Sequence, residues 1–237
     1  SVVKINENAF THCSKLREIH FTENSQLISI GKCSFCSSPI KSVSIPPRVK
    51  IIDDNAFEEC SSLLRIEISQ LITEIKHSAF LNCSSLREVI IPSSINIIHP
   101  CAFQGCSSLT CINIPSSVVS IMKCAFKGCS QLAQLTLPSS VESIGDSAFE
   151  ECSSLVRVEI PTSTTIIKQY TFSNCSSLRE VLIPPSITSI EQYAFQSWTS
   201  LQQVLIPSSV TSIGGNAFDG CPCQVQIQRN DRTCQIF

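Results

Sequence analysis

The chain has 237 residues, 15% of them charged, and a net charge of −2. So small a balance leaves no basic footprint for nucleic acid or an anionic membrane surface, and no apolar run approaches the roughly 20 residues of a membrane-spanning helix. Glycine is scarce at seven, and neither G-x-G-x-x-G nor G-x-x-x-x-G-K occurs, so the common phosphate-binding loops are excluded and no cofactor is implied.

From the first residue the chain reads as a repeat. Ser1-Val2-Val3 enters in mid-unit without Met, signal peptide or cap, and a truncated N-terminus is the expectation. A recurring Phe then marks each unit. Phe10 and Phe35 are 25 residues apart and Phe57 follows after 22; Phe80, Phe103, Phe126, Phe149, Phe172, Phe195 and Phe218 continue at intervals of 23. A fixed period of this length signals a solenoid, in which no unit buries its apolar face alone. We therefore expect about ten units of 22–25 residues over 1–218, followed by a cap over 219–237.

Within a unit the elements follow in order. Val-x-x-Ile, as in Val118 to Ile121, suggests a short extended piece on one side of the coil. The x-x-Ala-Phe-x-x-Cys that follows is short, has a single apolar cluster, and is predicted to be one helical or 3₁₀ turn. Leu-x-x-Val-x-Ile-Pro then alternates with period two, which is the strand signal, and Pro fits the strand's end because it has no amide hydrogen to donate. Each coil offers about seven inward side chains worth roughly 1.5–3 kcal/mol each, against roughly 1.5 kcal/mol per residue of lost entropy. One coil loses that contest, so stacking is compulsory.

The irregular units come at the ends. Two extra residues lie around Thr22 to Ser25 in the Phe10 unit. The Phe35 unit carries Ile40 one place early and has no Cys at the usual position. Trp198 stands where the Phe195 unit should have Cys. After Phe218 the pattern shortens, with Val225 and Ile227 expected in the last strand and a polar tail from Gln228 to Phe237. A longer period overlies the short one: DNAFEECSSLLRIEI from Asp54 is nearly repeated 92 residues later from Asp146 as DSAFEECSSLVRVEI. Such copying gives either two equivalent sites on one face or two copies without functional meaning.

Fifteen cysteines are present, eight of them three residues after the Phe: Cys13, Cys60, Cys83, Cys106, Cys129, Cys152, Cys175 and Cys221. Equivalent side chains in stacked strands run parallel about 4.8 Å apart, whereas a disulfide needs Cβ atoms converging to roughly 3.8 Å. The column is therefore expected to be buried and reduced. Cys33 and Cys36 form a C-x-x-C lacking the strand-helix setting of a redox motif or further ligands for zinc. Cys223 and Cys234 are a possible bridge in the tail. Cys101, Cys111 and Cys124 are the expected exposed thiols, and Asn82 and Asn174 head triplets of the N-glycosylation pattern that the repeat itself generates.

The unit Leu-x-x-Val-x-Ile-Pro-Ser-Ser-Val-x-x-Ile-x-x-x-Ala-Phe-x-x-Cys-Ser-Ser resembles the BspA-like class of leucine-rich repeats over almost the whole chain, from about Val2 to Cys221. The resemblance implies a curved leucine-rich-repeat solenoid of the α/β type, with a parallel β-sheet on its concave face. It also implies proteins that bind other proteins, often at cell surfaces or in host contact, and it carries no catalytic residues to transfer. Localisation is open: the resemblance suggests a cell surface, while reduced cysteines suit the cytoplasm.

No catalytic constellation is visible, since His12, His20, His77 and His99 fall at different repeat positions and the serines sit in turns. Binding has the better case. If Val89 and Ile91 point inward, the neighbouring columns point outward, presenting Arg65, Glu67, Glu88, Ile90, Arg157, Glu159, Glu180, Leu182 and Leu205. Arg65 beside Glu88 and Arg157 beside Glu180 read either as self-neutralised pairs or as polar recognition points; Leu182 and Leu205 are an exposed apolar pair. Tyr170, Tyr193 and Trp198 make a second aromatic-rich candidate region, unless Trp198 merely fills the Cys site. The expected role is a protein-binding scaffold for an extracellular or host protein. The alternative is a module that self-assembles through its ends, as a monomer or weak edge-to-edge oligomer.

Overall fold

A computed structural model describes residues 2–201, 203–222, 224–229 and 232–236. Successive repeats form coils that stack in register. Short strands occupy two sides of each coil, and runs of two to four of them pair in parallel with their equivalents in neighbouring units, as Ser42, Val43 and Ser44 do with Arg65, Ile66 and Glu67, and these with Glu88, Val89 and Ile90.

The Leu-x-x-Val-x-Ile segments form the broader sheet, a line of aligned ladders interrupted after Glu88–Ile90, Gln134–Thr136 and Glu180–Leu182, with strands such as Arg65–Glu67, Cys111–Asn113 and Arg157–Glu159. Their middle residue is buried and their flanking residues face outward, as the period-two pattern demands. The Val-x-x-Ile segments form a narrower sheet of two-residue strands, among them Ile97–Ile98, Ser120–Ile121 and Ser143–Ile144. At the C-terminus, Gln203–Ile206 pairs in parallel with Gln224–Arg229, and Arg232–Ile236 turns back antiparallel on the latter. Cys223, one half of the possible Cys223–Cys234 bridge, lies outside the described residues.

The third side corrects one expectation. The Ala-Phe segment is a chain of turns, and there is no helix among the described residues. The reason lies in where the amide hydrogens go. In the Phe103 unit, Ala102, Gln104 and Cys106 donate to carbonyls three residues back in their own coil, at 3.1–3.3 Å. The intervening Cys101, Phe103 and Gly105 donate to Lys123, Ala125 and Lys127 of the next coil, at 2.8–3.0 Å. A helix needs consecutive amides bonded within the chain; here every second one is committed to the neighbouring coil. The alternation forces a left-handed residue two before and two after the Phe. Asn55 and Glu59, Ser78 and Asn82, Tyr170 and Asn174 all have φ between 52° and 60°. Gly105 and Gly128, at 72° and 73°, take that conformation without steric cost.

The inward columns make one continuous core. Phenylalanine rings stack along it at centroid separations such as 5.3 Å for Phe103–Phe126 and 5.4 Å for Phe126–Phe149, tilted by no more than 10°. Two side-chain ladders run beside it. Ser94, Ser117, Ser140 and Ser209 each donate a hydroxyl to a carbonyl of the preceding coil, at 2.6–2.8 Å. The column cysteines do likewise, Cys83 Sγ to Phe57 O at 3.1 Å and Cys129 Sγ to Phe103 O at 3.3 Å. The thiol is thus a donor tying coil to coil as well as a small apolar filler.

Candidate binding face

The outward columns of the broader sheet lie where the alternation puts them. Arg65, Glu67, Glu88, Arg157, Glu159 and Glu180 are exposed, Ile90 is half-buried, and Leu182 and Leu205 are 44% and 46% exposed. The register sets Arg65 opposite Glu88 and Glu67 opposite Ile90; in the second copy it sets Arg157 opposite Glu180 and Glu159 opposite Leu182. Both cross-strand ion pairs form: Arg65 Nε lies 3.4 Å from Glu88 Oε2, and Arg157 Nη1 lies 3.7 Å from Glu180 Oε2. Arg157 also reaches Glu159 on its own strand at 2.8 Å. These solvated pairs contribute little to stability, so stability alone does not require the charges on this face.

Depressions in the face lie beside the arginines. One is lined by Ser42, Ser44, Arg65 and Glu67, another by Gln134, Thr136, Arg157 and Glu159. Arg65, Glu67, Arg157 and Glu159 are among the outward residues singled out from the sequence; Ser42, Ser44, Gln134 and Thr136 beside them are not. The signal was the size difference between short polar residues on one coil and Arg-x-Glu on the next.

The aromatic candidates separate. Tyr170 and Tyr193 are half-buried on the turn side, their rings stacked at 4.9 Å and within 2° of parallel, and Asn216 Nδ2 donates to Tyr193 Oη at 3.2 Å. Trp198 is 0% exposed. Its indole Nε1 donates to Phe172 O at 2.6 Å, the bond a column cysteine would make, and its ring packs edge-on against Phe195 at 4.6 Å. It therefore replaces Cys in the core and offers a partner no surface, because an indole N–H serves the same carbonyl that a thiol serves elsewhere.

The column thiols from Cys60 to Cys175 are buried and unbridged, while Cys13 and Cys221 at the ends are partly exposed. Burial pushes the Cys60 and Cys129 thiols up to about 12 and raises Cys83, Cys106, Cys152 and Cys175 as well. Cys111 is exposed on the broader sheet, whereas Cys101 and Cys124 are only partly exposed. Cys36 Sγ lies 3.8 Å from Glu58 Oε2, and burial followed by that carboxylate's charge raises the Cys33 thiol. Among the described residues no group of three or more His, Cys, Asp or Glu could hold a metal ion. Asn82 and Asn174 are exposed in left-handed turns. No helix among the described residues is long and apolar enough to cross a membrane.

Comparison with known proteins agrees with this architecture. A family model described as BspA type Leucine rich repeat region (6 copies) matches residues 1–110 and 96–224. No curated protein sequence matches. Among solved structures, the chain is similar to a T. pallidum leucine-rich-repeat protein, at 28% identity and TM-score 0.61, covering 76% of this chain and 75% of that one. It is similar to a leucine-rich-repeat protein from Bacteroides ovatus at 25% identity and TM-score 0.55, covering 93% and 80%. A leucine-rich cell surface protein from Faecalibacterium prausnitzii matches at 26% identity and TM-score 0.52, covering 97% and 78%. With the family model spanning nearly the whole chain, with its own repeat unit and with the stacked parallel coils, this protein belongs to the BspA-type leucine-rich-repeat family.

Proposed function

We propose that the chain is a non-enzymatic scaffold that recognises another protein through the broader sheet, which we take as the concave face of the solenoid. The observation that carries the reading is the contrast between columns. Stacking holds the inward positions constant, while the outward ones change from coil to coil and leave Leu182 and Leu205 exposed beside the Arg157–Glu159–Glu180 group. Exposed apolar side chains next to polar, orientable groups suit the centre and rim of a protein interface. The similarity to a bacterial leucine-rich cell surface protein supports the finer reading, recognition or adhesion to an extracellular or host protein. Tyr170 and Tyr193 are a secondary contact candidate on the turn side.

The test is capture of binding partners from host-cell and own-cell extracts by intact protein and by a folded variant carrying Arg157→Ala, Glu159→Ala, Leu182→Ala and Leu205→Ala. A partner retained only by the intact chain supports the broader sheet as the recognition face. Equal retention by both removes the broader sheet from the reading and moves recognition to the tyrosines or the coil ends.

A further inference from the structure

The 92-residue duplication has a structural counterpart. Ser42, Ser44, Arg65 and Glu67 line a groove of about 280 Å³, and Gln134, Thr136, Arg157 and Glu159 line one of about 520 Å³. Each residue of the second set stands 92 positions after its counterpart in the first, four repeats further along the same side of the solenoid. In both grooves short polar side chains on one coil lie beside the long side chains of an Arg-x-Glu strand on the next; the first groove also reaches Ile19 and His20 on the coil before.

Their charge composition also matches, one arginine to two glutamates. In the first, the Arg65 guanidinium pairs with Glu88 of the next coil at 3.4 Å, and Glu67 stands two positions along the same strand; in the second, one guanidinium serves Glu159 at 2.8 Å and Glu180 at 3.7 Å. Each group keeps one carboxylate in excess. On the following coil an apolar side chain lies in register with the first carboxylate, Ile90 opposite Glu67 and Leu182 opposite Glu159. At roughly 4.8 Å per strand, four coils separate the grooves by about 19 Å. An extended chain covers that span in about six residues at roughly 3.3 Å each.

We propose that the two grooves bind one extended basic segment of a protein partner, whose Lys or Arg residues recur about six positions apart, each closely followed by an apolar side chain. The excess carboxylate takes the cation, and Ile90 or Leu182 takes the apolar neighbour. Occupying both sites makes the second binding event intramolecular, which multiplies affinity without any new kind of contact. The proposal rests on the broader sheet being the recognition face.

Isothermal titration of the full chain tests it with synthetic peptides: one with two Lys-x-Leu modules whose lysines stand six residues apart, one with a single module, and one with the lysines ten apart. We expect the single-module peptide to bind twice per chain. The six-spaced peptide should bind once, at least about tenfold more tightly, and the ten-spaced peptide should lose that gain. Glu67→Gln with Glu88→Gln, or Glu159→Gln with Glu180→Gln, should halve the single-module stoichiometry and abolish the gain; all four side chains are exposed, so folding is not at stake. Absence of saturable binding, affinity independent of spacing, or binding that survives both double variants overturns the proposal. If the peptides fail while a captured partner still requires Arg157, Glu159, Leu182 and Leu205, only the two-groove inference falls. If capture ignores those residues, recognition through the broader sheet falls with it.

Discussion

Raising the pH should unfold this protein through its thiols. Cys60, Cys83, Cys106, Cys129, Cys152 and Cys175 are all 0% exposed, and burial lifts each above the ordinary value of 9.0, with Cys60 and Cys129 pushed up to about 12. In the unfolded chain the same thiols ionise near the ordinary value. The folded state then binds more protons than the unfolded one, so this contribution is complete below about pH 9 and is lost as the pH climbs toward about 12. By pH 10 Cys60 and Cys129, still protonated in the fold, each favour it about tenfold less than at pH 9 and below, together about 3 kcal/mol, and the other four column thiols act in the same direction. A folded domain typically holds only about 5–15 kcal/mol, so under reducing conditions the solenoid should lose a large part of its stability between about pH 9 and 11. The assay is urea unfolding followed by circular dichroism across that range, for the native sequence, for Cys129→Ala with Cys152→Ala, and for exposed Cys111→Ala. Removing two of the six column thiols should reduce the pH dependence by about a third, and Cys111→Ala should leave it unchanged. Stability independent of pH up to about 10.5, or an equal effect from Cys111→Ala, would refute the reasoning.

Three further outcomes follow from the packing. Phe126→Ala, which empties a fully buried site between two stacked rings, should cost about 3–5 kcal/mol in thermal or urea unfolding; Phe10→Ala, at a site 41% exposed with one stacked neighbour, should cost less than half as much. Trp198→Cys should be less destabilising than Trp198→Ala by about 1 kcal/mol, the worth of the restored donor to Phe172 O; equal melting of the two variants would mean that the donor is irrelevant there. In native protein a thiol-specific reagent should modify Cys111 first, and the six column cysteines should react only at the rate of unfolding, as peptide mapping of labelled sites would show.

Much of this architecture was legible because stacking makes the inward positions repeat. The Phe, Ile, Leu and Cys columns announce one another every 23 residues, and the period-two pattern of Leu-x-x-Val-x-Ile located the strands and their outward faces. The turn side was misread because local pattern carries no record of hydrogen bonds to a coil 23 residues away. A clue was present all the same: Asn55, Asn82, Gly105, Gly128 and Asn174 occupy the two positions flanking Phe, and Asn and Gly are the residues that tolerate the left-handed conformation found there. The donor role of the column thiols was equally hidden, since a buried Cys is expected on apolar grounds alone. Trp198 was left between two readings, core and surface, which the sequence could not separate; its burial and its bond to Phe172 O place it in the core. As for the candidate site, alternation marked the outward residues, but the depth of the grooves depends on side-chain heights across adjacent coils.

The central claim, that a protein partner docks on the broader sheet, is tested most directly by hydrogen–deuterium exchange on the chain with and without a captured partner. The account predicts added protection confined to the Arg157–Glu159, Glu180–Leu182 and Gln203–Ile206 strands and their equivalents at Arg65–Glu67 and Glu88–Ile90, with the Tyr170 and Tyr193 turns unchanged. Protection confined to those turns or to the narrower sheet, with the broader strands exchanging as in the free protein, would contradict it.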